Sequence, residues 1–400
     1  MGHGMANIDA LHGWDAIRSY LPSDYVRLAD EHRQVETRYG NSKIRTADDL
    51  LRLILLHVGA NLPLRQTVVL MAEAGGPSLS PMRLHKKMCR AAPYLQALVA
   101  KVLAWPADGA AERWGGYIFT AVDATVVTGP GSVGTDARIH TKLRVADVSL
   151  LDVQVTDNKG GESFRRFTWE PGELAVGDRA YCSALGVDHV TSAGADVLMR
   201  YRLGGITLCT PEGAPFEVLE RVRAMGEGEL LDIDVHALLP NRHIDGRFVA
   251  MRLPADAAER ARKRLRLENG TKTRATSAQS LEAAGYVMLF TTAKRERLDA
   301  DRCLQAYRLR WQIELQFKRW KSLCSFDCLP NQRDDTTLAW LYAKVLLGAL
   351  LDRMASIPSE LSPPEPSDFT DSTTDVMRSV EADEHPLPAD DRIAAATHAA

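Results

Sequence analysis

The segment YIFTAVDATVV (117–127) constrains the fold more than any other stretch: β-branched, aromatic and small residues fill it, and one carboxylate, Asp123, stands in its middle. Such a run fits a central strand buried on both faces of a sheet. An unpaired carboxylate there costs several kcal/mol, so Asp123 calls for a partner or a metal ion. A merely structural or turn-forming role stays open on these residues alone.

The strand texture begins at Trp114 and continues. DARIHTKLRVAD (136–147) and VSLLDVQVTD (148–157) read as the next two strands, with the Gly-rich GPGSVG (129–134) as a hairpin turn. ELAVGD (173–178) is a short apolar strand that delivers Asp178 at its end, and DVLMRYR (196–202) follows a helical stretch. Residues 200–285 hold the strand-like pieces ELLDIDV and RFVAMRL and one basic helical piece, AERARKRLRLEN; YVMLFTT (286–292) is a further strand.

Residues 1–110 carry helical spacing instead, in ADDLLRLILLHVGA (47–60) and LRQTVVLMAEA (64–74). After Gly75-Gly76, Ser80 is suited to cap a helix that Pro81 opens, so this region resembles a helix-turn-helix. Arg83, Lys87 and Arg90 fall on one face of the second helix with Lys86 beside them, either to meet DNA or as a solvated face.

The spacing predicts one long helix over 301–323, DRCLQAYRLRWQIELQFKRWKSL. At about 100° per residue, Tyr307, Arg310, Glu314 and Lys321 share an arc of about 60°, with Lys318 at its edge. Leu309, Ile313, Phe317 and Trp320 form the apolar face next to it. A lone carboxylate among basic residues at a core margin suits a metal and a phosphate together. It equally suits an intrahelical salt-bridge stripe, because Glu314 is four residues from both Arg310 and Lys318.

Charge is unevenly spread. Residues 356–400 hold ten Asp/Glu and two Arg, a balance of −8, so within a total of −3 the rest of the 400-residue chain carries +5. A mildly basic body leaves a polyanionic partner open, and the Pro-, Ser- and acid-rich tail reads as disordered. No apolar run nears the ~18–20 residues of a membrane span, and no secretory leader pattern is evident, so no membrane partner is expected. Six cysteines make no disulfide framework, and a cytoplasmic, nucleoid-associated location is expected. Cys324 and Cys328 lack the further ligands of a zinc site, and His140 and His189 read as structural. Arg200, at a strand end, is either near substrate or on the surface, and the basic residues from Arg260 to Arg274 form a patch suited to DNA backbone or to solvent.

Three motifs together resemble one family. YRLRWQIELQFKRWK matches the Tyr-x2-Arg-x3-Glu-x6-Lys signature of bacterial insertion-sequence DDE transposases of the insertion-sequence-four group. VDAT at Asp123 and VGDRAY at Asp178 resemble that family's two catalytic-Asp motifs, in the right order. The resemblance implies an RNase H-like α/β core, a mixed sheet flanked by helices, interrupted by a β-rich insertion and preceded by an all-α domain. The implied layout is a helical DNA-binding domain (1–110), the core in two parts (111–199 and 286–355), the insertion (200–285) and a disordered acidic tail (356–400).

It further implies Asp123, Asp178 and Glu314 as catalytic carboxylates holding two Mg²⁺ ions, with Mn²⁺ able to substitute. Tyr307, Arg310 and Lys321, with Lys318 beside them, would contact DNA, and Tyr286 would take the place of an aromatic that stacks on a flipped base. Arg83, Lys87 and Arg90 would meet double-stranded DNA at the transposon ends. The implied activity is cut-and-paste transposition, with target DNA as second substrate and a homodimer in the synaptic complex. The rival readings are a transposase-derived regulator without catalysis and a stand-alone metal-dependent nuclease.

Overall fold

The computed structural model describes residues 13–35, 44–104, 115–132, 134–239, 242–271, 275–324, 329 and 334–355. The acidic stretch 356–400, Lys272, Arg274 and Cys328 lie outside the described residues. Among the described residues five helices come first: α1 (Trp14–Ser19), α2 (Tyr25–Glu31), α3 (Ala47–Gly59), α4 (Leu64–Glu73) and α5 (Pro81–Ala104). Thr46 caps α3 by accepting from the Asp49 amide, and Gly75, at φ +78°, takes the left-handed turn after α4 at no Cβ cost.

The expected helix-turn-helix meets a difference here. Its second helix is not short: α5 runs 24 residues and buries Leu84, Met88, Tyr94, Leu95, Leu98 and Val102 along its length. An apolar stripe of that length needs a long partner, and the last helix among the described residues, α12 (Asp334–Ala355), supplies it, with Leu341, Val345 and Leu346 in the same core.

The strand run forms β1 (Ile118–Val127), followed by β2 (Ala137–Arg144), β3 (Ser149–Asp157) and β4 (Glu173–Gly177). β1, β2 and β3 form an antiparallel meander, and β4 returns to pair with the free side of β1 in parallel. The resulting order is β3-β2-β1-β4. Val127, Ile139 and Val153 turn one face of the meander into the core shared with α3, α5 and α12. This mixed α/β arrangement is consistent with an RNase H-like core.

A buried ion pair ties these strands together. Lys142 Nζ on β2 lies 2.9 Å from Glu173 Oε2 at the start of β4, each side chain 7 % exposed. Glu173 also accepts from Thr120 Oγ1 on β1 (3.1 Å) and the Glu170 amide (2.8 Å), and Lys142 also donates to Thr168 O (2.7 Å). Every group of the pair has a partner, which is the condition under which a buried charge is tolerated.

The chain divides into two compact units. The first takes the chain through Tyr181, the piece Ser192–Ala195, and the chain from Gln312 into α12; it contains everything described so far. The second takes Cys182–Thr191 and Asp196–Trp311. Its strands are β5 (Asp196–Arg200), β6 (Leu208–Cys209), β7 (Leu230–Leu238), β8 (His243–Arg252) and β9 (Tyr286–Thr291), in the antiparallel order β5-β9-β8-β7-β6. Its helices are α6 (Ala184–Ser192), α7 (Val218–Arg223), α8 (Ala255–Thr271), α9 (Ala278–Ala283) and α10 (Ala300–Leu309). Tyr201, Phe216 and Phe248 pack ring to ring in its core, at 5.6 and 5.4 Å between centroids.

The single helix expected over 301–323 is two: α10 ends at Leu309 and α11 (Trp311–Cys324) begins after Arg310. The Arg310 amide bonds to Tyr307 O, three residues back, at 3.2 Å, tightening the last turn. The arc over Tyr307, Arg310, Glu314 and Lys321 assumed one continuous helix; within α11, Glu314 and Lys321 keep a common face. Among the described residues no helix is long and apolar enough to cross a membrane.

Candidate active site

Register brings the two Asp residues together. β1 and β4 run parallel with Ala121 opposite Val176. Asp123 follows two residues later on β1, and Asp178 two residues later in the turn just past the end of β4. Each carboxylate is oriented locally: Asp123 accepts from the Ala124 amide at 2.7 Å, and Asp178 accepts from the Ala180 amide at 2.8 Å across the turn that ends β4. Both are half-buried.

That turn places Tyr181 beneath them. Its ring is fully buried, 5.1 Å from Phe164 between centroids. Its hydroxyl is buried and makes no hydrogen bond among the described residues. Burial, then the charges of Asp123, Glu162 and Asp178, push the phenol pKa well above its ordinary value. The middle of β1, the turn after β4 and the 160s loop thus each bring a carboxylate within electrostatic reach of one phenol.

Glu162 was not found from sequence, because it lies in a loop without strand or helix pattern. Burial and the charge of Asp178 raise its carboxyl pKa, and Arg138, whose Nη1 is 3.8 Å from Glu162 Oε1, opposes the rise. His140, fully buried on β2, bonds through Nε2 to Thr156 Oγ1 at 3.0 Å; burial, with Arg166 and Arg138, holds its pKa down at about 3. A neutral, hydrogen-bonded imidazole agrees with the structural reading.

Glu314 is half-buried on α11, and the opposite face of that helix is anchored. Asp352 of α12 accepts from Trp320 Nε1 (3.0 Å), Arg319 Nη1 (3.2 Å) and Gln316 Nε2. Ile313, Phe317 and Trp320 are buried. The rotation of α11 is thereby fixed, with Lys318 exposed and Lys321 half-buried on the Glu314 side of the helix. Asp123, Asp178 and Glu314 all belong to the first unit, but their carboxylates do not all lie within 4.8 Å of one another. Like charges resist such an approach unless a cation offsets them.

The remaining predicted residues are placed as follows. Tyr307 and Arg310 belong to the second unit and are 7 % and 4 % exposed, with the guanidinium 5.7 Å from the Tyr307 ring centroid. Tyr286 opens β9 and is buried, opposite Arg252 of β8. Arg200 is buried at the end of β5. Arg83 and Arg90 are exposed on α5, whereas half-buried Lys87 donates to Gln34 O at 2.6 Å. On α8 the basic residues are partly offset within the helix: Arg260 pairs with Asp256, and Arg262 and Arg266 with Glu259.

Residues 114–347 match the family model of the transposase DDE domain. The chain is 30 % identical over 345 residues to the InsL protein of insertion sequence element IS186A of Escherichia coli K12, covering 85 % of this chain and 93 % of that protein. It is equally similar to the transposase for insertion sequence element IS421 of Escherichia coli, 30 % over 346 residues with the same coverage. A more distant relative is the transposase for IS231F of Bacillus thuringiensis subsp. israelensis, 25 % identical over 194 residues, 45 % of this chain and 41 % of that one. With the DDE model matching more than half of its length, and relatives aligned across most of it, this chain belongs to the DDE transposases of bacterial insertion sequences.

Proposed function

We propose that this transposase cuts transposon ends and joins them to target DNA at one site, formed by Asp123, Asp178 and Glu314 and loaded with two Mg²⁺ ions, for which Mn²⁺ can substitute. The observation that carries this reading is the register: each acid follows the Ala121–Val176 pair of the parallel strands by two residues, Asp123 on β1 and Asp178 just past β4. The donor set fits such ions, since it consists of hard carboxylate oxygens with an unsatisfied buried hydroxyl, that of Tyr181, beneath it. The ions supply activation of water or a 3′-hydroxyl and charge neutralisation at the leaving oxygen.

The chain's own groups do the rest. The Ala124 and Ala180 amides aim the two Asp carboxylates by donating a hydrogen bond to each. Lys318 and Lys321, the accessible cations of α11, bind the phosphate by charge-assisted hydrogen bonds. Arg310, over the Tyr307 ring, completes the signature from the end of α10. Tyr286 is buried in its sheet, so stacking on a base would require that ring to be uncovered. Arg83 and Arg90 on the exposed side of α5 contact the transposon ends, in a helical domain that precedes the core, and residues 200–285 act as its β-rich insertion. Two chains pair the two ends as a homodimer. The reaction proceeds on double-stranded DNA in the cytoplasm by cut-and-paste.

A supercoiled plasmid carrying the element's own ends, incubated with the protein and Mg²⁺, tests this reading. Excision followed by insertion is the expected result, and Glu314→Gln should bind the ends without cutting them. Nicking without joining would make the chain a nuclease, and binding without nicking a regulator; either overturns the proposal.

A further inference from the structure

The β7–β8 hairpin carries a second cluster of metal-ligating side chains, in the unit that does not contain the three candidate catalytic carboxylates. In its register His236 stands opposite Asp245, and His243 opposite Leu238. Alternate residues share a face of a strand, so His236, His243 and Asp245 all project from the same side. The Leu239 amide closes the hairpin on Arg242 O at 2.8 Å, which sets the two strand ends at fixed spacing.

Asp245 Oδ1 faces two imidazole nitrogens: His236 Nε2 at 3.2 Å and His243 Nε2 at 3.7 Å. The rings stack at 4.2 Å with 9° between their planes, so binding one ion through both Nε2 atoms takes a rotation of the His243 side chain, which is 56 % exposed. The three ligand atoms all lie within 4.8 Å of one another. In a tetrahedral site with bonds of 2.0–2.1 Å, neighbouring ligand atoms are about 3.3–3.4 Å apart. The Asp245–His236 separation already matches such an edge, the Asp245–His243 separation exceeds it by about 0.3 Å, and side-chain rotation alone closes the set. Two imidazoles and one carboxylate favour a borderline transition metal over Mg²⁺, and three protein ligands leave one position to water.

We propose that His236, His243 and Asp245 bind one divalent transition-metal ion of the zinc class, clipping together the tip of the β7–β8 hairpin. The strands supply the preorganisation: cross-strand neighbours need no loop movement to bring the three ligand atoms around one ion. With side chains 22 %, 56 % and 86 % exposed for His236, His243 and Asp245, the site is open to ion entry from solvent.

The test uses the full-length, tag-free protein, stripped with a chelator and titrated with Zn²⁺ by calorimetry in millimolar Mg²⁺. Co²⁺ then serves as a spectroscopic probe of coordination. The expected result is one Zn²⁺ per chain, with tetrahedral Co²⁺ absorption. His243→Ala and Asp245→Asn should each weaken binding more than about tenfold, or ~1.4 kcal/mol, while retaining the far-ultraviolet dichroism of the parent. Asp123→Asn should leave this site intact, which separates it from the catalytic carboxylates. Absence of Zn²⁺ binding, or binding that survives both His243→Ala and Asp245→Asn, overturns the assignment.

Discussion

Gly177 immediately precedes Asp178, and the space around it explains the Gly in VGDRAY. A Cβ built there meets Phe164 Cζ at 2.8 Å and Tyr181 Cβ and Cγ at 2.9 and 3.0 Å. That is roughly half an ångström short of ordinary contact. Neither aromatic can yield freely. Phe164 and Tyr181 are fully buried against each other, and Trp169 packs on Phe164 edge-on at 5.8 Å while its Nε1 donates to Phe164 O at 3.0 Å. Gly177→Ala should therefore cost about 1–3 kcal/mol by overpacking. For a folding unit of this size that lowers the melting temperature by roughly 2–10 °C.

The displaced ring belongs to the turn that holds Asp178. A misplacement of 1 Å can cost ~10²-fold in rate, so a shift about half as large should cost about tenfold in cleavage. Thermal unfolding and plasmid cleavage read the two effects. Gly161→Ala is the control: a Cβ there meets nothing within 4 Å, so both measurements should stay at the parent's values. A Gly177→Ala protein that melts and cleaves like the parent would refute the reasoning.

Other outcomes follow from the same packing. Lys142→Met should cost about 3 kcal/mol of stability, seen as a lower melting temperature, because it strands the buried Glu173 carboxylate; Lys142→Met combined with Glu173→Gln should recover part of the loss, and a single-variant cost below about 1 kcal/mol would mark the pair as surface-like. Asp352→Ala removes the acceptor that fixes α11, so cleavage and stability should fall together while affinity for end DNA holds; unchanged cleavage would show that Glu314 needs no such anchor. His140 is neutral in the fold, with its pKa depressed from 6.5 to about 3. The unfolded chain binds the extra proton between those values, so the His140 contribution is fully present above pH 6.5 and is lost as pH falls toward 3. His140→Gln should be less stable than the parent at pH 7.5, and that deficit should shrink at pH 5; a deficit independent of pH would contradict the burial argument.

Much of the first unit was legible because its strands are short, apolar and bounded by turns: 117–127, 136–147 and 173–178 emerge as β1, β2 and β4 to within a few residues. Placing Asp123 beside Asp178 took the parallel register, which no single-strand pattern contains. The helix at 301–323 misled for a related reason. Helical spacing runs on through Arg310, whose backbone keeps helical angles but bonds three residues back to Tyr307 O, and that tighter turn separates the two helices. The second helix of the expected helix-turn-helix failed on length, since its buried stripe continues to Val102 and finds its partner in α12, far away in sequence. His236, His243 and Asp245 escaped notice because their proximity is cross-strand: the linear spacing resembles no metal motif, and the hairpin register creates the cluster.

The account rests most heavily on where the divalent ions bind. A crystal of the protein with its end DNA and Mn²⁺, recorded at the manganese absorption edge, measures this directly. Two anomalous peaks about 3.5–4 Å apart, between the carboxylates of Asp123, Asp178 and Glu314, are the predicted result. Peaks coordinated without Glu314, or found away from the middle of β1 and the end of β4, would contradict it.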